Sequence, residues 1–163
     1  MKSTGEDVGT QNVLQKTWLS VLEQAAREVF QIMLGCRLEG PMPPPATESF
    51  EFTSMVGLAG ELCGVLTLRC SAKSAMRITS IMLGTEITRP DEQMWDAVGE
   101  LCNVIAGNFK NKIPGVADRC MLSVPTVITG TNYNYYSLAD AACLKLTFGF
   151  EGEIVSVSLE VHS

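Results

Sequence analysis

Met94-Trp-Asp-Ala-Val-Gly-Glu-Leu-Cys-Asn-Val-Ile-Ala-Gly-Asn-Phe-Lys110 is a stretch with two different faces. At about 100° per residue, Met94, Trp95, Val98, Leu101, Cys102, Ile105 and Phe109 fall within about 60° of one line, a stripe made for burial. Asp96, Glu100, Asn103 and Gly107 cluster almost opposite and should form one polar strip on the exposed side. Glu100 and Asn103, at i and i+3, place their Cβ atoms roughly 5–6 Å apart and point the same way. Glycine inside a helix costs about 1 kcal/mol relative to alanine. Core crowding does not explain Gly107 on an outer face, whereas bare backbone beside a carboxylate and a carboxamide suits the close approach of a second protein. Gly99 is a second helical glycine with no such explanation. Solvated helix faces also carry Glu and Asn, and a bare E-x-x-N arises by chance, so spacing alone leaves both readings open.

Around this stretch the spacing predicts a helix over 91–113, stopped by Pro114-Gly115. Upstream, apolar positions 14, 18, 21, 22, 25, 29, 32 and 33 mark one face of a long helix that ends near Gly35. A stiff connector follows over 40–47, rich in proline. Strands are expected over 49–56 and 62–70, with Gly57 and Gly60 in the turn between them. A short helix, 72–83, is capped by Ser71 and closed by Gly84, and a loop runs over 85–90. Three further strands are expected over 120–129, 142–150 and 153–161, the last two joined by a tight turn at Glu151-Gly152-Glu153. The fold class is α/β of the α+β kind: a mainly antiparallel sheet packed with two long helices and one short one. The halves share an order of long helix then strands, and Val21–Ala26 can be laid over Val98–Asn103, so an internal duplication is possible on slight identity.

Length and composition set the class. The chain has 163 residues, consistent with a single domain over 1–163. Hydrophobic residues make up 46% and charged residues 18%, which excludes a disordered chain. A net charge of −6 repels phosphate backbones and argues against nucleic acid as a partner. The opening residues lack the apolar core of a signal peptide, and the charge-free run over 120–139 holds Pro125, Gly130, Asn132 and Asn134, so no membrane insertion and a cytoplasmic location are expected. Six cysteines without a C-x-x-C pair read as buried reduced thiols, and His162, the lone histidine, is too near the end to complete a zinc set. No nucleotide-binding loop is present. Tyr133, Tyr135 and Tyr136 form an aromatic cluster, read as packing over the sheet end or as an interaction surface.

The string Asp96-x-x-x-Glu100-x-x-Asn103, with Gly107-Asn108 beyond it and Pro125 22 residues after the asparagine, resembles the signature of the CheC/CheX/FliY chemotaxis phosphatases. The predicted element order is also similar to the CheC-like fold. Members of the CheC kind carry the motif twice. Here the first helix offers Glu23 but Ala26 where an asparagine would be needed, so the chain is similar to the CheX-like members with one site.

The resemblance implies a hydrolase, a protein phosphatase acting on the aspartyl phosphate of a CheY-like response regulator in two-component signalling. It implies catalytic roles for Glu100 and Asn103, the glutamate pairing with the regulator's lysine and the asparagine holding a water in line for attack. Asp96 and Gly107 would be partner-binding positions, and Pro125 a structural residue in or beside a strand. No metal or cofactor of its own is expected, Mg²⁺ being supplied by the response regulator. A homodimer is expected too, through a strand edge, with 153–161 as the candidate strand. The alternative is a non-catalytic receiver-binding module related to flagellar switch proteins, although simple docking would not require Asn103.

Overall fold

The computed structural model describes residues 6–134 and 141–162. Helix α1 spans Glu6–Leu34, followed by strands β1 (Phe52–Gly60) and β2 (Cys63–Cys70), helices α2 (Ala72–Leu83) and α3 (Glu92–Lys112), a short 3-10 turn (Ala117–Arg119), and strands β3 (Cys120–Leu122), β4 (Thr126–Thr129), β5 (Ala141–Phe150) and β6 (Glu153–His162). The sheet is antiparallel in the order β3-β1-β2-β6-β5, and β4 lies beside β3 along the same flank of β1. The three helices pack on one of its faces.

Strand alternation decides which face that is. Val56, Leu66, Leu68, Phe148, Val155 and Val157 point to the helices and are buried. The helices close over them with Leu22, Val29, Phe30, Ile78, Leu101 and Phe109. Phe30 meets Phe150 edge to face with ring centroids 5.4 Å apart. The opposite face carries Thr53, Thr67, Thr147 and Ser156, and the proline-rich connector reaches it through a Glu48–Lys145 ion pair at 2.8 Å.

Local signals explain the helix ends. Ser71 accepts the Ser74 N–H at 3.1 Å, and Gly84 adopts the left-handed region with φ 67°. Asp91 accepts the Gln93 N–H at 2.9 Å to start α3, and Pro114 follows its end. In the β5–β6 hairpin Phe150 pairs with Glu153 across two residues that both have positive φ, Glu151 at 47° and Gly152 at 82°. At Gly60 a side chain is excluded, because a Cβ would stand 2.0 Å from the Arg119 carbonyl oxygen.

Five expectations need correction. Gly57 and Gly60 lie within β1, Gly57 opposite Val65, so the turn between the first two strands falls at 61–62. Helix α1 begins at Glu6 rather than at Leu14, and its buried face runs through Leu22, Ala25, Ala26, Val29 and Phe30, with Ile32 77% exposed. The strand expected over 120–129 is broken in two between β3 and β4: Ser123 still bonds Gly57 of β1, and Val124 and Pro125 leave the ladder. Strand β6 is no edge: β2 pairs along one side and β5 along the other, so its backbone has no vacant side to offer a second chain. The six cysteines are free, but Cys70, Cys102 and Cys120 are buried whereas Cys63 and Cys143 are exposed and Cys36 is half-buried.

Candidate active site

Helix α3 carries the strip as its periodicity requires. Met94, Val98, Leu101, Cys102, Ile105 and Phe109 are fully buried, and on the far side Asp96 and Glu100 are exposed while Asn103 and Gly107 are half-buried. Trp95 departs from the expected stripe. It falls at the stripe's margin near the start of α3 and is 45% exposed.

The broken edge strand frames the strip. Pro125 lies over Gly99, where an added Cβ would stand 3.4 Å from both the Pro125 Cβ and the Val127 Cγ2. This gives Gly99 its reason: it lets β4 and the proline approach the helix backbone. One side chain further along, Leu122 lies against Gly107, with its Cδ1 3.8 Å from where a Cβ would be. That is ordinary contact, so packing does not demand a glycine at 107. Between these two contacts the segment from Leu122 to Pro125 runs alongside the turn of α3 that presents Asn103. Pro125 is thus a structural residue beside a strand, as expected, and its contact with Gly99 packs the chain just before β4 onto α3 next to the strip.

Behind the strip the helix is held rigidly. Cys102 points its thiol at the Ser54 carbonyl oxygen, 3.5 Å away, and burial pushes that thiol up to about 12, so it is protonated and inert at neutral pH. On the side facing α1, Lys112 pairs with Glu28 at 2.7 Å, and Gln24 donates to the same carboxylate at 3.0 Å. These contacts, the lysine first, hold the Glu28 carboxyl below the usual carboxylate range. Lys110 donates to the Ala117 and Cys120 carbonyls at 2.7 and 2.9 Å, which ties the helix end to the start of β3.

Chemically, the strip offers one carboxylate and one carboxamide on a rigid, outward helix face. A carboxamide both donates and accepts, so it can orient a water without exchanging a proton. Among the described residues there is no group of three or more His, Cys, Asp or Glu side chains placed to hold a metal ion. His162 lies at the end of β6, opposite Cys63. Tyr133 reaches Thr53, on the sheet face away from the helices, while Tyr135 and Tyr136 lie outside the described residues.

Comparison with known proteins bears on this arrangement. The family model described as "Chemotaxis phosphatase CheX" matches residues 52–149. The CheY-P phosphatase CheX of Thermotoga maritima is 30% identical over 112 residues, which cover 68% of this chain and 71% of that protein. Two solved structures share the fold. CheX from Vibrio vulnificus aligns with a TM-score of 0.78 and 17% identity, over 89% of this chain and 96% of that one. The CheX–CheY–BeF3–Mg²⁺ complex from Borrelia burgdorferi aligns with a TM-score of 0.72 and 23% identity, over 90% and 98%. Sequence match and fold agree, and the chain belongs to the CheX family of chemotaxis phosphatases.

Proposed function

We propose that this phosphatase hydrolyses the aspartyl phosphate of a CheY-like response regulator by laying the α3 strip into the receiver's phosphorylation pocket. The observation that carries this reading is the joint placement of Glu100 and Asn103 on one outward strip, walled by Pro125. The relative in Thermotoga maritima is named for activity on CheY-P, and the Borrelia burgdorferi structure pairs a CheX with CheY.

An acyl phosphate is already activated, so the reaction needs a placed nucleophile more than a strong acid or base. Asn103 accepts a hydrogen bond from a water and orients its lone pair at phosphorus, opposite the aspartyl oxygen. The water oxygen bonds to phosphorus as the phosphorus–aspartyl oxygen bond breaks. The electron pair returns to the aspartate as carboxylate, and the water's proton leaves with inorganic phosphate or to solvent. The gain is positional, as it is for the water-orienting glutamine of GTPases. Glu100 pairs with the receiver's lysine and fixes the docking pose, Asp96 and Gly107 contribute contact surface, and Mg²⁺ arrives with the receiver.

The proposed setting is cytoplasmic, chemotaxis-type signalling, and no described helix is long and apolar enough to cross a membrane. A homodimer is part of the proposal. Among the described residues β5 is the outer strand on one side, and Glu39 and Met42 pair with its second half, at Gly149 and Thr147. The decisive experiment is phosphate release from a panel of phosphorylated receiver domains with and without the protein. Acceleration for at least one receiver, lost in Asn103→Ala, is the expected result. Tight binding without acceleration would convert the protein into the docking module instead.

A further inference from the structure

The break between β3 and β4 is a built arch. Ser123 donates its N–H to the Gly57 carbonyl at 2.9 Å, and its Oγ accepts the Gly57 N–H at 2.8 Å. The hydroxyl thus stands in for a backbone carbonyl and satisfies β1, while the chain beyond it is free to bend outward. The same hydroxyl donates to the Val124 carbonyl at 3.0 Å, which fixes the bend. Pro125 then seats on Gly99, and Leu122 lies on the Gly107 side. Bulged strands beside a reactive centre commonly re-aim one side chain. Here the side chain at the crest is Val124, an apolar residue 85% exposed.

An arch held to β1 by Ser123 and packed on Gly99 through Pro125 carries this valine along the stretch of α3 between Gly99 and Gly107, which includes Asn103. Any partner that brings a phosphoryl group to the Asn103 carboxamide must close over the crest as well. A second copy of this chain seated there would cover the strip and exclude that partner. We infer that Val124 is a recognition residue for the phosphorylated receiver, meeting an apolar patch on the rim of its acidic phosphorylation pocket and helping to set which receiver is accepted. This inference rests on the placement of the reaction at Glu100 and Asn103. Val124 does no chemistry. It contributes contact area in the complex, whereas the asparagine acts on the water.

The test compares Val124→Asp and Val124→Ile with Asn103→Ala, using a CheY-like receiver phosphorylated by a small phosphodonor. Binding is measured separately to the same receiver activated with beryllofluoride. The residue is exposed, so both valine variants should keep the wild-type Tm. Val124→Asp should raise KM and weaken binding by about tenfold or more with kcat within about twofold, and Val124→Ile should retain wild-type behaviour. Unchanged KM and binding in Val124→Asp, while Asn103→Ala is inactive, would overturn the inference and leave the reaction site standing. A fall in kcat at unchanged binding would overturn it in favour of a role in positioning Asn103. Wild-type turnover in Asn103→Ala would overturn both. A changed oligomeric mass in Val124→Asp by light scattering would assign the crest to a contact between copies, which also overturns it.

Discussion

Lys112, in the last turn of α3, holds Glu28 of α1 at 2.7 Å and so joins the helix that bears the site to the helix that covers the sheet. The carboxyl's pKa is lowered on folding, chiefly by this lysine and then by Gln24. A depressed carboxylate stabilises the fold above its unfolded value, near 4.5, and that contribution is lost as pH falls through the folded value. Glu28→Gln should therefore lower Tm at neutral pH and converge on wild type in acid. Thermal unfolding of both proteins across that range checks this, and a parallel pair of curves would remove the linkage.

Asn103→Ala should leave the fold intact and slow stimulated dephosphorylation by about 10²-fold or more, because the side chain's role is positional. Single-turnover phosphate release at saturating receiver measures it, with binding of the receiver kept close to wild type.

Glu100→Ala should weaken receiver binding as well as rate, since one side of a charged docking pair is removed. The loss should be about 2 kcal/mol or more, roughly thirtyfold in affinity, with a shallower salt dependence than wild type. If its rate defect disappeared at saturating receiver, Glu100 would be an anchor alone.

The two glycines of α3 should respond in opposite ways. Gly107→Ala meets Leu122 at an ordinary distance, so it should stabilise the protein by roughly 0.5–1 kcal/mol. Gly107→Leu should impair receiver docking, because a long side chain then stands on the approach surface. Gly99→Leu has Pro125 and Val127 at 3.4 Å from its first carbon and should cost about 1–3 kcal/mol. Chemical denaturation of the three variants, with receiver binding measured for Gly107→Leu, separates these effects.

The proposed dimer predicts a doubled mass by light scattering coupled to gel filtration, unchanged over a dilution series in the micromolar range. A monomer mass throughout would exclude it, and Lys substitutions on the outer edge of β5 would be expected to dissociate it.

The helix that carries the site was legible because its signals are local. Asp91 starts it, Pro114 follows it, and the 3.6-residue period separates Leu101 and Ile105 from Glu100 and Asn103. Ser71 and Gly84 bounded α2 for the same reason. The first turns of α1 were not legible, since Gln11, Asn12 and Gln15 show no apolar period. The break at Ser123 was hidden because apolar residues run on both sides of it, Met121 and Leu122 before and Val124, Val127 and Ile128 after, and a serine hydroxyl can replace a strand carbonyl without a sequence signature. Alternation in 153–161 reported one buried face correctly, but it carries no information on which strands flank it. Gly99 stayed unexplained because its neighbour, Pro125, is remote in sequence and meets it only in the folded chain.

The Ser123–Gly57 pairing has a kinetic meaning too. It closes a loop that contains β2, α2 and the whole of α3, so the wall of the site cannot form until that long segment has been ordered. A fragment carrying α3 alone would have the motif and lack its frame. Once folded, β3 and β4 are three and four residues long and lie at the sheet margin, the kind of element that opens first in native-state hydrogen exchange. Excursions of that margin would release Pro125 from Gly99 while α3 stayed helical, so under the proposed mechanism the lifetime of the competent state would follow a short edge rather than the stability of the domain.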